Sequence, residues 1–431
     1  MHPIYTLYKI LTDGLFLIGF PPLWLYTRLT GKYQEGLRER LGFVPLDRMA
    51  ELNGSPRIWV HAASLGEIKV AASLEKALHK LFPHHSLILS TYTEQGYRSS
   101  RELMPKIPVI YAPLDLSFAV ERALQRIRPD IMIFLETELW PTWLLTAHHL
   151  GVKIALLNGR ISERSIENYL KFKFLFRQIL APIKVFSMIR AEDALRIKKM
   201  GARPSRVVVN GNAKYDLLST QTSPQFELEM RRVLNVDSSQ KTIVAGSTRG
   251  GEESTLLAVY AKVLQEFPDT LLFIAPRHIE RTPEIERLLN NRGMRYQLRT
   301  ELDGVTVKRT APVVIMNTFG ELFKLYSVAT IAFCGASLVP LGGQNPLEAA
   351  AWGKPVFYGP FMEDFIDAKQ LLESYHAGIQ VANAKEFTEK VLDFLHHPAE
   401  WVARGAQARE LIRLNQGSAQ NHANAIARLW G

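Results

Sequence analysis

Apolar positions fall into two recurring patterns along this chain: short unbroken runs, and longer stretches with apolar residues three or four apart. The sharpest change from one to the other lies in Ile58-Trp59-Val60-His61-Ala62-Ala63-Ser64-Leu65-Gly66-Glu67, where an apolar run ends in small residues and Leu74, Leu78 and Leu81 follow at helical spacing. This predicts a strand, a tight turn and a helix. The same alternation predicts strands at Trp59–Ala63, Leu87–Ser90, Val109–Tyr111, Ile131–Leu135, Ile154–Leu157, Val185–Met188 and Val207–Val209, with helices between them such as Phe118–Arg126 and Ala191–Met200. A polar stretch, Leu218 to Gln225, reads as the start of a linker, after which the rhythm restarts. Strands are expected at Ile243–Gly246, Leu271–Ala275, Val313–Met316, Ile331–Cys334 and Val356–Tyr358, and helices at Glu252–Gln265, Pro283–Asn290, Leu322–Ser327, Pro346–Trp352 and Glu386–Leu395. Trp401 to Trp430 reads as helical and amphipathic. Such alternation argues for two α/β halves, each a parallel sheet with helices on both faces.

The beginning of the chain breaks the pattern. Gly14 to Tyr26 carries no charge, but the run is shorter than the about 20 apolar residues that span a bilayer, and Pro21-Pro22 is expected to break or kink a helix. Trp24, Tyr26 and Tyr33 have the character of interfacial aromatics, and Arg28, Lys32, Arg38 and Arg40 follow closely, as suits anionic headgroups. The expectation is a membrane anchor over residues 1–30, in the interface or marginally spanning; the alternative is a buried helix of the first domain. The domains that follow are then 31–217 and 218–431, the latter including the linker and the terminal helix.

Length and charge narrow the function. At 431 residues the chain exceeds one ordinary core, and its formal charge of +10 suits an anionic partner: a phosphorylated substrate or an acidic membrane surface. No zinc spacing, RNA-binding signature or long Lys/Arg block is present, so nucleic acid is not expected as a partner. Cys334 is the only cysteine, which rules out an intramolecular disulfide, and its apolar surroundings mark it as a small core residue.

Chemistry is expected where strands hand over to helices. Glu67 stands at such a turn, where a helix N-terminus favours negative charge; it reads either as a dipole-complementing acid or as a general base. Glu136 and Glu138 end another strand, a poor place for two core acids, and Lys214 follows the last strand of the first half as a cation suited to a leaving phosphate. His61 and Trp59 read as packing residues. In the second half, the turn from Ala245 through Ser247 to Glu253 is rich in small residues that suit a phosphate cradle, and Arg277 in Pro276-Arg277-His278 suits an anion. Phe319-Gly320-Glu321 precedes a helix where backbone groups would meet a nucleobase. In Asn345-Pro346-Leu347-Glu348, Asn345 fits an N-cap and Pro346 a first helical position, and Glu348 is placed to accept from a ribose or to complement the dipole. No metal-ligand spacing and no Gly-x-Ser-x-Gly elbow is found.

Taken together, these stretches resemble the Kdo (3-deoxy-D-manno-octulosonic acid) transferases of lipopolysaccharide assembly. The resemblance rests on His-Ala-Ala-Ser-Leu-Gly-Glu at 61–67, Glu-Thr-Glu-Leu-Trp-Pro at 136–141, Asn-Gly-Arg-Ile-Ser-Glu-Arg-Ser at 158–165 and Gly-Asn-Ala-Lys at 211–214. It continues in Ala-Gly-Ser-Thr at 245–248, Pro-Arg-His at 276–278 and Asn-Pro-Leu-Glu at 345–348; the Arg249-Gly250 pair departs from the family pattern. It implies a GT-B glycosyltransferase fold, two Rossmann-like domains facing a cleft, and inverting transfer of Kdo from CMP-Kdo onto a phosphorylated glycolipid, the tetraacyldisaccharide lipid A precursor (lipid IVA). The place implied is the cytoplasmic face of the bacterial inner membrane. By the same resemblance Glu67 is the base, Glu136 and Lys214 support the transition state, and Pro276, Arg277, Phe319, Gly320, Glu321, Asn345, Pro346, Leu347 and Glu348 bind CMP, with Ser247 in the turn beside them. No metal or other cofactor is expected, because a nucleoside monophosphate leaves without the diphosphate that recruits one. The alternative on the same fold is a sugar-nucleotide epimerase.

Overall fold

The computed structural model describes residues 3–30, 35–50 and 52–431. Two compact units emerge: one holds the described residues up to Leu217 together with Asn415–Gly431, the other Leu218–Leu414.

The first unit is built on a seven-stranded, all-parallel sheet: β1 (Arg57–His61), β2 (Ser86–Thr91), β3 (Val109–Tyr111), β4 (Ile131–Leu135), β5 (Lys153–Gly159), β6 (Val185–Met188) and β7 (Val207–Val209). The order across the sheet is β3-β2-β1-β4-β5-β6-β7. Its strands read as apolar runs because both faces are covered. Within β1, Trp59 points into one core with Phe134 and Trp143, while Ile58 and Val60 point into the other with Ile68, Leu74 and Leu78 of the helix Leu65–Leu81. The strand order reverses between β1 and β4. That switch point leaves a crevice at the carboxyl ends of neighbouring strands, where ligands bind in sheets of this kind.

The second unit repeats the scheme with β8 (Thr242–Thr248), β9 (Leu271–Pro276), β10 (Tyr296–Leu298), β11 (Val313–Ile315), β12 (Ile331–Cys334), β13 (Val356–Tyr358) and β14 (Gly378–Gln380), ordered β10-β11-β9-β8-β12-β13-β14. Its reversal lies between β8 and β12. The outermost strands β10 and β14 were not expected; they are three residues long and largely half-buried, so no apolar run marks them. Cys334 is a core residue, as its surroundings predict, and its thiol donates to the Gln344 carbonyl at 3.1 Å.

Two expectations are corrected. First, Trp401 to Trp430 is two helices, Pro398–Leu414 and Ser418–Trp430, separated at Gly417 with φ of 89°. The second of these does not close the 218–431 half. Its Ala419, Ala423 and Ile426 complete the core of the first unit, on the Ile58 and Val60 face of β1. Both ends are held electrostatically: the Asp216 carboxylate accepts the Gly417 and Ala419 amides at 2.7 and 2.5 Å, and Lys153 Nζ donates to the Leu429 and Trp430 carbonyls at 3.0 and 3.2 Å. An anion at the N-terminus and a cation at the C-terminus both complement the helix dipole.

Second, the first helix, Pro3–Thr30, runs through Pro21 and Pro22 without a break. The rings deprive the carbonyls of Leu17 and Ile18 of their helical donors, on a stretch where both residues are exposed. The helix is not buried either. It is fastened at its middle, where Tyr8 donates to Asp115 at 2.8 Å, Asp13 accepts the Ser117 amide at 3.0 Å and Phe16 meets Phe118. Ile10, Leu11, Leu15, Leu17 and Ile18 stay exposed, Ile18 at 78%. No helix among the described residues is long and apolar enough to cross a membrane. Arg28 stacks over Trp24 at 4.8 Å, whereas Lys32 and Tyr33 lie outside the described residues.

Asp216→Ala removes the cap of the terminal helix, and loss of such a cap costs about 1–2 kcal/mol. A lower denaturant midpoint for the first unit is expected; an unchanged midpoint would show that the cap contributes nothing.

Candidate active site

At the switch point of the first sheet, β1 delivers Ser64 and Glu67. Ser64 is the N-cap of the helix Leu65–Leu81 in extended conformation. Its hydroxyl donates to Glu67 Oε1 at 2.9 Å, and the Ala63 amide donates to Glu67 Oε2 at 2.8 Å. The Glu67 amide in turn donates to the Ser64 hydroxyl at 3.4 Å, so Ser64 caps the helix and Glu67 stands in its first turn, where an acid complements the dipole. Burial adds something a cap does not need. Glu67 is only 5% exposed. Loss of water and the nearby negative charge of Glu136 push its carboxyl up to about 8, against the pull of the Ala63 amide. A carboxyl that exchanges its proton near neutrality has the poise of a general base.

The neighbouring strand β4 brings Glu136, whose φ of 54° is rare for a residue with a side chain. Its Oε1 lies 2.5 Å from Lys214 Nζ, and a methyl group added at Gly66 would meet that ammonium at 3.5 Å. Glu67, Glu136 and Lys214, read separately from three strand ends, therefore stand together. Thr137 donates to the Arg160 carbonyl, tying this turn to the end of β5.

Glu138 is held by Trp140 and His61, and its charge adds to the upward push on Glu67. Burial would raise its carboxyl, but His61 and the Trp140 indole, donating at 2.6 Å, hold it below the usual range. His61 and Trp59 share the Ser90 hydroxyl at 3.0 and 2.9 Å, so both are packing residues as predicted.

In the second unit, the ends of β8, β9 and β11 surround a cavity of about 100 Å³. Ser247, Pro276, Arg277, Phe319, Gly320 and Glu321 all line it. Phe319 is 63% exposed, an open face for a planar base. Arg277 is exposed and has no acid partner among the described residues. Glu321, by contrast, is neutralised: Arg299 donates to its Oε1 at 2.8 Å and Thr318 to its Oε2. Pattern reading missed Arg299, Met316 and Thr318. Only Thr318, adjacent to Phe319, carried a signal.

Two further stretches named from the sequence lie beside this cavity. In the turn after Ser247, Glu252 takes the Arg249 amide at 3.1 Å and, from the segment after β12, those of Ala336, Ser337 and Leu338 at 2.5, 2.8 and 2.8 Å. Ser247 itself, with φ of 55°, remains at the cavity wall. The turn Asn345–Glu348 is not part of the wall. Asn345 does cap, its Oδ1 accepting the Leu347 amide at 3.2 Å, while Pro346 and Leu347 are buried. Glu348 lies close enough to Tyr326 and Cys334 to add to the upward shift that burial imposes on both, and the Tyr326 hydroxyl sits against Gly246, next to Ser247. Among the described residues no group of three or more His, Cys, Asp or Glu could hold a metal ion.

Comparison with known proteins resolves the family. Residues 35–217, which hold Glu67, Glu136 and Lys214, match a family described as 3-deoxy-D-manno-octulosonic-acid transferase (kdotransferase). A 3-deoxy-D-manno-octulosonic acid transferase of Rickettsia prowazekii is 31% identical over 79% of this chain and 72% of its own. The chain belongs to the Kdo transferase family. Its relative of the same name from Haemophilus influenzae is 29% identical over 96% of this chain and 97% of its own. A bifunctional glycosyltransferase/methyltransferase of Fusobacterium nucleatum is 33% identical over 79% of this chain, which spans only 53% of that protein. Among solved structures, a UDP-GlcNAc 2-epimerase from Neisseria meningitidis covers 86% of the chain with a TM-score of 0.62 at 12% identity, and a glycosyltransferase from Rickettsia africae covers 86% with 0.53 at 16%. These share the fold of this family member: two α/β units on parallel sheets.

The raised carboxyl has a consequence for stability. Glu67 ionises at about 8 when folded against 4.5 as a free side chain. The folded protein thus binds this proton more tightly, and the contribution is complete below about 4.5 and lost as pH rises through about 8. Glu67→Gln cannot ionise. It loses a hydrogen-bond acceptor, worth about 1 kcal/mol, so it should be less stable than the parent at pH 5, and the gap should close or reverse by pH 8.5. Denaturant titration of both proteins measures this; a gap independent of pH would contradict the shift.

Proposed function

We propose that this chain transfers Kdo from CMP-Kdo to the phosphorylated glycolipid precursor of lipid A, lipid IVA, releasing CMP with inversion at the anomeric carbon. The observation that carries the reading is the convergence of Glu67, Glu136 and Lys214 at one switch point, in a chain of the Kdo transferase family. In this reading Glu67 accepts the proton of the acceptor hydroxyl as its oxygen bonds to the anomeric carbon of Kdo. The bond from that carbon to the phosphate oxygen breaks, and its electron pair leaves with CMP. Lys214 supplies positive charge for the departing phosphate, and Glu136 holds the ammonium in place. The second unit binds the donor: Arg277 takes the phosphate as a charge-assisted partner and Phe319 stacks on the cytosine. One phosphate and a good leaving group need no metal ion. The two units then act as the halves of a GT-B glycosyltransferase.

The first helix supports the placement we propose, at the cytoplasmic face of the inner membrane. Its exposed apolar residues from Ile10 to Ile18 suit the acyl boundary, and Arg28 suits anionic headgroups, without a span.

The test is paired. Glu67→Gln should lower the rate of Kdo transfer about 10²–10⁴-fold and leave CMP affinity intact. Arg277→Ala should weaken CMP by about 1–3 kcal/mol, which calorimetry reads directly. A folded Glu67→Gln protein that transfers Kdo at the parent rate would remove the base, and unchanged CMP affinity in Arg277→Ala would displace the donor site.

A further inference from the structure

Lys214 is carried by a short loop, Gly211 to Ala213, between β7 and the helix Lys214–Gln221, and that loop rests on the terminal helix Ser418–Trp430. Gly211 has φ of 87°, and a Cβ there would lie 2.4 Å from Ser418 Oγ. His422, from the next turn of the terminal helix, is 1% exposed and reaches the same glycine: its Nε2 lies 3.2 Å from the Gly211 carbonyl and its Nδ1 2.7 Å from Ser187 Oγ. A carbonyl only accepts, so Nε2 carries the proton and Nδ1 accepts from the Ser187 hydroxyl. The Ser187 oxygen in turn receives the Asn210 amide at 2.6 Å. Every donor in this chain faces an acceptor, and one tautomer satisfies all of it. Burial lowers the ring's pKa to about 4, so His422 is neutral at pH 7 and the arrangement holds.

We propose that His422 is a positioning residue for the transfer reaction: by fixing the Gly211 carbonyl it sets the loop from which Lys214 reaches Glu136. The inference rests on Lys214 belonging to the transfer site. Its physical basis is the shortness of the link. Only Asn212 and Ala213 separate Gly211 from Lys214. The loop between them is pinned from the other side by Asn158, buried at φ of 53°, whose Oδ1 takes the Ala213 amide at 2.9 Å. Beyond Lys214, Asp216 caps the same terminal helix. The ammonium thus projects from a segment fixed to that helix on both sides. Release of the Gly211 end lets it drift from a partner it meets at 2.5 Å, and a displacement of about 1 Å in an active site can cost about 10²-fold in rate.

His422→Leu keeps the bulk and removes both nitrogens; Ser187→Ala, which is milder, removes only the hydroxyl on Nδ1. Each is made in the parent and in Lys214→Met, within the full chain. In the parent background His422→Leu should lower kcat for Kdo transfer about 10–100-fold, Ser187→Ala less, with KM little changed. In the Lys214→Met background neither should cost anything more, since the effect passes through the absent ammonium. Equal losses in both backgrounds, or no loss in either, would overturn the proposal. A second readout needs no transfer: the rate at which acetic anhydride acetylates Lys214, followed by mass spectrometry. It should rise severalfold in His422→Leu and less in Ser187→Ala, which also serves if His422→Leu does not fold. An unchanged rate overturns the positioning role. A raised rate in a protein whose parent transfers no Kdo would show that His422 holds Lys214 in place but would overturn both the proposed activity and His422's part in it.

Discussion

The first unit depends on one constraint: an acid sits at the head of the helix Leu65–Leu81 and is all but buried there. The reversal of strand order beside β1 places the ends of β1 and β4 next to each other. Glu67 therefore takes the Ser64 hydroxyl and the Ala63 amide in the first turn of its helix while facing the charge of Glu136. Either feature alone is ordinary. Together they leave a carboxyl whose two protonation states are close in free energy near neutral pH, and that is the property a proton acceptor requires. Lys214 is drawn in by Glu136, so one neighbour both loads Glu67 with a proton and holds the cation.

The second unit resolves its own electrostatics differently. Glu252 is consumed by four backbone amides, Glu253 by a two-point pairing with Arg281 at 2.8 and 3.0 Å, and Glu321 by Arg299. With the acids quenched inside the fold, the cavity presents Arg277 and the face of Phe319. A wall left with a cation and an aromatic face matches the two ends of a nucleoside monophosphate. Strand ends in both units share one backbone feature: Glu136, Asn158, Ser247 and Ala336 adopt positive φ where β4, β5, β8 and β12 finish. Such conformations cost about 1–3 kcal/mol each and persist where the surroundings enforce them.

The central strands were legible because burial on both faces demands apolar runs, and Ile131–Leu135, Val185–Met188 and Ile331–Cys334 begin and end where the runs do. Edge strands such as β10 were not, since half-burial leaves a mixed sequence. The terminal helix shows why amphipathicity is incomplete information. Ala419, Ala423 and Ile426 announce an apolar face but not which core receives it. Site residues were legible where a strand, a small turn and a helix follow within ten residues, as at Glu67, or where an arginine or aromatic stands at a strand end, as at Arg277 and Phe319. Arg299 and His422 come from distant segments and act through contacts that only the fold creates, as does Asn158, which the sequence marked only as the start of the 158–165 motif. The Ser247 turn has the composition of a phosphate cradle, and only the fold shows that Glu252 in the same stretch ties its Arg249 amide to those of Ala336, Ser337 and Leu338.

In the proposed function, the Glu67 carboxyl ionises near neutrality and Kdo transfer requires it ionised. The most direct measurement is kcat/KM for transfer to a purified lipid A precursor between pH 5.5 and 9.5, because this ratio reports the ionisation of the free enzyme. The rate should climb with pH as one proton is lost, levelling above about 8, and the residual activity of Glu67→Gln should lack this step. A parent profile already level at pH 5.5, as an ordinary carboxylate would give, or the same step persisting in Glu67→Gln, would contradict it.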